Sequence, residues 1–158
     1  EIRFADLGLD PAREYFVFEF WSKRLLGSFG GSFRPGPVDP RFRSQAFCIR
    51  ERRAVPQVIA TSRHVTAGGP DLLDASWNGA ALAGRSLVVK GDPYILYLTE
   101  PDGWAYQGLD LRGAKLVRTE REGRLVRLTL EPETAGEVSW AARFAASPPA
   151  AEWQIEPI

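Results

Sequence analysis

Asp71 and Asp74 stand three residues apart and are the carboxyl pair to weigh for glycoside hydrolysis. That reaction needs two carboxyl groups about 5 to 9.5 Å apart across a sugar. On one strand, residues three apart face opposite sides, and the rise alone separates their backbones by ~10 Å. The pair is therefore expected to solvate a turn and a strand edge, not to converge. Glu19 and Asp92 are lone acids, and Asp92 is expected to stabilise its own turn before Pro93. Ser62 and His64 would share a strand face, but spacing supplies no orienting acid for a triad. A polar, hydrogen-bonded surface is the simpler expectation. Cys48 lies sixteen residues before His64, the sole histidine, and the two do not make a zinc set. No loop has calcium spacing. Gly27-Ser28-Phe29-Gly30-Gly31 lacks the following helix and Lys-Ser/Thr of a phosphate loop. No metal or other cofactor is expected. Trp104, beside Pro101-Asp102-Gly103, is the ring expected to reach solvent, and it is the candidate for stacking on a sugar. Core packing is the competing use of such a ring.

The elements that position these residues read as strands. Short runs rich in Val, Leu, Phe, Tyr and Trp are punctuated by 15 Gly and 12 Pro, and helical spacing seldom persists. The expected fold class is all-β: an antiparallel two-sheet β-sandwich, jelly-roll or Greek-key like. At most one helical turn is expected, at Asp10-Pro11-Ala12-Arg13-Glu14. Asn78-Gly79 and Gly91-Asp92-Pro93 mark turns, and Arg34–Pro40 is a surface crossover. Glu122-Gly123 reads as a two-residue hairpin turn. It would pair Thr119 with Val126 and Val117 with Leu128, and oppose Arg118 to Arg127. Val117, Val126, Leu128 and Leu130 would then face the core. Phe16, Phe18 and Phe20 alternate with Val17 and Glu19, so that strand is expected to be covered on both faces. One domain spans residues 1–158. Residues 1–27 form a leading strand segment. Residues 147–158 are a Pro-rich tail in which Trp153 and Ile155 alternate as in an edge strand.

The charges balance at 20 basic and 20 acidic residues, without a basic stripe. Neither nucleic acid nor an anionic membrane is an expected partner. No apolar run approaches the ~18 residues of a membrane span. The single cysteine is expected to be a buried thiol. The chain begins at Glu1 and contains no methionine, which reads as a piece of something longer.

The central stretch runs Cys48-Ile49-Arg50-Glu51, then Pro56–Asp74, then Val88-Val89-Lys90-Gly91-Asp92-Pro93-Tyr94. With Ala5-Asp6-Leu7-Gly8-Leu9, Tyr15–Trp21 and Trp77-Asn78-Gly79 it forms an ordered series. The series resembles the C-terminal β-sandwich of α-galactosidase (melibiase)-like glycoside hydrolases over residues 4 to 108. The resemblance implies a non-catalytic accessory domain that follows a catalytic (β/α) barrel, with residues 1–27 next to that barrel. The family's two catalytic Asp residues belong to the barrel and have no counterpart here. The implied partner is the barrel of the parent enzyme, and a homo-oligomer is a further option. Arg63, His64, Gly68 and Gly69 are the candidates for docking onto it, because glycines allow close backbone approach. A carbohydrate-binding module is the alternative. The compartment is left open, with a lean towards the cytoplasm.

Overall fold

The computed structural model describes residues 1–147. The edge strand expected at Trp153 and Ile155 lies outside the described residues. Among the described residues the fold is all-β, and the antiparallel sandwich expected from the sequence is present. Its first half comprises β1 (Ile2–Arg3), a 3-10 turn (Phe4–Leu7), β2 (Glu14–Glu19), β3 (Arg24–Gly30), β4 (Ser32–Phe33), β5 (Phe47–Glu51) and β6 (Val58–Thr61). There follow β7 (Leu72–Trp77), β8 (Ala81–Val88), β9 (Tyr94–Thr99), β10 (Trp104–Arg112), β11 (Ala114–Glu122), β12 (Leu125–Pro132) and β13 (Gly136–Ala146). No helix among them is long and apolar enough to cross a membrane.

A front sheet in the order β10-β13-β8-β7 faces a middle sheet in the order β11-β12-β9-β6. The chain crosses between them after β6, β8, β9, β10 and β12, which places β13 beside β8 and β12 beside β9 in a Greek-key-like weave. Behind the middle sheet lies a back sheet, β3-β2-β5, which adds a third layer to the expected two.

The sequence of β9 explains why a third layer forms. Its Tyr-Ile-Leu-Tyr-Leu run shows no polar alternation, because both faces are covered. Tyr94, Leu96 and Leu98 join Val126, Leu128 and Leu130 against the front sheet. Ile95 and Tyr97 point the other way, onto Phe18 and its neighbours in the back sheet. The rings of Phe18 and Tyr97 lie 4.7 Å apart. β2 is covered twice as well: Tyr15 and Val17 pack on Phe4 and Phe33, so the double covering read from Phe16, Phe18 and Phe20 is present. Each fully buried side chain of this kind contributes roughly 1.5–3 kcal/mol.

Three local expectations need correction. The helical turn lies at Phe4–Leu7, whereas Asp10 instead closes a turn by accepting the Ala12 N–H at 2.9 Å. The turn expected at Asn78-Gly79 is present, and the Asn78 side chain holds it by accepting the N–H groups of Ala80 and Ala81 at 3.0 and 2.8 Å. In the β11–β12 hairpin the two turn residues are Gly123 and Arg124, because Glu122 pairs with Leu125. Gly123 takes the positive φ of 58° that this turn demands. Thr119 therefore pairs with Leu128, and Arg127 faces Glu120 instead of Arg118. Opposite charges face each other where like charges were expected. A bulge between Leu116 and Arg118 turns Val117 outwards, 58% exposed, while Val126, Leu128 and Leu130 are buried as expected.

Gly84 lets the two central strands of the front sheet close over a tryptophan. A Cβ there would meet the Trp140 ring at 2.5 Å and the Asp74 carbonyl closer still. Trp140 on β13 fills the space that a larger residue on β8 would take.

Candidate functional site

Asp71 ends the loop that leads into β7, and it is 1% exposed. This overturns its expected role in surface solvation. Its Oδ2 accepts the Thr61 hydroxyl at 2.6 Å and the Tyr94 hydroxyl at 2.8 Å. Tyr94 also meets the Ser86 hydroxyl at 3.1 Å, and Trp140 Nε1 donates to that hydroxyl at 3.0 Å. Burial pushes the Tyr94 hydroxyl up; the Ser86 hydrogen bond opposes this and the Asp71 charge adds to it. Tyr94 thus remains a proton donor. Thr61 and Tyr94 belong to the middle sheet, Ser86 and Trp140 to the front sheet, so the cluster ties the layers together. Asp71 Oδ1 is buried without a hydrogen-bond partner.

Asp74 faces solvent and accepts Arg85 Nε at 2.7 Å, and Arg85 also reaches Glu137 at 3.1 Å. The two aspartates thus point to opposite sides, but not by regular strand alternation: Asp71 precedes β7, and a bulge lies between Leu72 and Asp74. Glu19 is buried beside the turn after β2. It accepts the backbone N–H groups of Ser22 at 2.6 Å and of Trp21 and Ala46 at 3.2 Å. Burial favours its neutral form, but the hydrogen bonds from Ser22, Ala46 and Trp21 outweigh it and hold the carboxyl below its ordinary range. Asp92 lies exposed in the turn before β9.

Ser62 and His64 do different work. The Ser62 hydroxyl accepts the Ile95 N–H at 2.9 Å, whereas His64 Nδ1 lies 2.9 Å from the Thr66 hydroxyl. Arg63, His64, Val65 and Thr66 form an exposed loop tip, with Gly69 exposed beside it. Gly68 is buried behind that tip, where its close approach is to Thr61, Leu72 and Arg50 of this same chain. Cys48 is partly buried on β5, its Sγ 3.5 Å from the Ile59 carbonyl. Burial pushes its thiol up, against the opposing pull of Arg50. Among the described residues no three His, Cys, Asp or Glu side chains gather as a metal set.

Trp104 is half-buried at one end of the front sheet, its ring edge-on to Trp77 at 4.9 Å. It lines a shallow cavity of about 370 Å³ with Glu100 and Arg124. Glu100 is held by the Tyr106 N–H at 2.7 Å and by Arg121 at 3.2 Å.

A larger groove, about 470 Å³, opens between β5, the β5–β6 loop and β7. Arg50, Arg53, Gln57, Asp74, Ser76 and Trp77 lie on its walls. Sequence reading missed both this groove and the Asp71 cluster. Hydrogen-bonded partners within the cluster stand as far as 54 residues apart, so no local pattern announces them. The signal available was Asp71 directly before a strand, followed by Tyr94 and Ser86 at inward strand positions.

Comparison with family models, with curated proteins and with solved structures finds no match to this chain.

Proposed function

We propose that this chain is a non-catalytic accessory β-sandwich that works by contact, as the C-terminal domain of an α-galactosidase-like glycoside hydrolase. The observation that carries the non-catalytic reading is the use to which the polar groups are put. Asp71 is sealed between two sheets, Asp74 is tied to Arg85 on the outside, and Glu19 holds three backbone N–H groups. Ser62 and His64 each serve local hydrogen bonds. These groups hold the fold together, which suits a buttress. The parent enzyme is inferred from the ordered series between Ala5 and Tyr94 in the sequence. In this reading the loop tip at Arg63 and His64 docks on the barrel.

Co-elution of the chain with the parent's barrel, freed of its own sandwich, tests the proposal. Arg63→Glu combined with His64→Glu should abolish co-elution without lowering the chain's own stability. No co-elution of the unaltered chain would overturn it.

A carbohydrate-binding module is the second reading. The half-buried Trp104 ring beside Arg124, in an open cavity, favours it. Calorimetry with galactosides decides: affinity that disappears in Trp104→Ala supports this reading, and the lack of any heat of binding rejects it.

A further inference from the structure

Strands β5, β6 and β7 each end their own sheet, and the 470 Å³ groove is lined by Ile49 to Glu51 of β5, the β5–β6 loop, Val58 of β6 and most of β7. β7 meets that groove with its edge. Asp74, Ala75, Ser76 and Trp77 all line it. Successive strand residues point to opposite faces, so only an edge presents four in a row to one cavity. Leu73 to Ser76 are exposed. Two of the other long terminal strands are guarded by charge: β11 carries Lys115, Arg118, Glu120 and Arg121, and β10 carries Asp110 and Arg112, whereas β3 carries only Arg24 and does not border the groove. β7 carries one charge, Asp74, and Arg85 neutralises it.

The groove is also electrostatically one-sided. Its two acids already have arginines: Arg13 donates to Glu51 at 2.6 Å, and Arg85 to Asp74 at 2.7 Å. Its own arginines have no carboxylate among the described residues. Arg50 is half-buried and donates to main-chain carbonyls, of Ile59 at 2.8 Å and of Ala67 at 3.2 Å. Arg53 is exposed at the rim. A half-buried guanidinium without a counter-charge favours an anion, and guanidinium groups match carboxylates in shape.

We propose that this groove binds an extended acidic segment of a protein partner. The segment adds to the open edge of β7 through main-chain hydrogen bonds, with alternate side chains entering the groove. Its carboxylates lie on Arg50 and Arg53. None of the residues of the Arg63–His64 loop tip lines this groove, so the proposal stands whether or not the chain docks on a barrel.

Two capped hexapeptides test it: Thr-Glu-Val-Glu-Thr-Glu and the same sequence with Gln for each Glu. Titration calorimetry should show saturable binding of the Glu peptide, with the Gln peptide about tenfold weaker. Arg53→Gln should weaken the Glu peptide by about tenfold and leave the Gln peptide unchanged. Arg50→Gln is the secondary variant, because Arg50 also holds two carbonyls of the fold. Bound Glu peptide should slow hydrogen exchange at the amides of Leu73 to Ser76. Equal binding of both peptides, binding of neither, or binding without protection of β7 would overturn the proposal. So would binding of an oligogalacturonate in place of the peptide, which would assign the groove to an acidic saccharide.

Discussion

The Tyr94 hydroxyl donates to Asp71 Oδ2 at 2.8 Å between the front and middle sheets. The bond joins a strand of one layer to the loop that feeds the other, and Thr61 shares the same acceptor. Tyr94→Phe removes the donor, keeps the ring and leaves Asp71 with a single partner on that oxygen. It should destabilise the fold by about 1–3 kcal/mol, read as a lower urea midpoint with an unchanged denaturant slope. A double-mutant cycle with Thr61→Val should show coupling, because both hydroxyls serve one carboxylate.

Glu19 gives the fold a defined acid sensitivity. Its folded pKa lies below the unfolded value of about 4.5, so the unfolded chain binds more protons in the window between the two. Its contribution is complete above the unfolded value and is lost as pH falls through the folded one. Glu19→Gln should cost about 1–3 kcal/mol at pH 7 and should flatten the stability profile below about pH 4.5. Urea denaturation from pH 7 down to 3 measures both. A profile in Glu19→Gln as steep as that of the unaltered chain would show that another carboxyl dominates.

The β11–β12 register has its own electrostatic test. Glu120 faces Arg127 directly, at 3.9 Å between charged atoms. Glu120→Lys should cost about 0.2–1 kcal/mol, with the loss shrinking at high salt. Arg118 faces Thr129. Arg118 also lies 3.7 Å from Glu120, so Arg118→Glu should cost about 0.2–1 kcal/mol, whereas it would stabilise the hairpin if Arg118 opposed Arg127. Thermal melts at low and high ionic strength separate the two registers.

Much of the architecture was legible in the residues, and the misses have identifiable causes. The twice-apolar β2 announced a strand covered on both faces, and the uniformly apolar β9 carries the same pattern. They did not say that β2 and β9 would cover each other, because that contact joins residues far apart in sequence. The hairpin at Gly123 was visible, but its register moved because Gly123 and Arg124, not Glu122 and Gly123, form the turn. The bulge at Val117 then reversed the direction of one side chain. Asp71 looked like a surface acid because aspartate usually is one. It is inside because three hydroxyls and an indole N–H from both sheets form a polar patch that its carboxylate completes. The groove was invisible because it is made where three separate sheets end.

Cys48 should be a poor nucleophile. Burial raises its thiol pKa, and the reactive species is the thiolate. Reaction with a disulfide reagent at pH 8 should be at least about tenfold slower than for a small free thiol and should accelerate in urea. A folded-state rate equal to that of the free thiol would show that the β5 edge opens readily.

The most direct test of the accessory role is the melting temperature of the parent's barrel, with and without an equimolar amount of this chain. The account predicts a saturable rise in the barrel's melting temperature, with hydrolysis of a chromogenic α-galactoside only in samples that contain the barrel. An unchanged melting temperature, or hydrolysis by this chain alone, would contradict it.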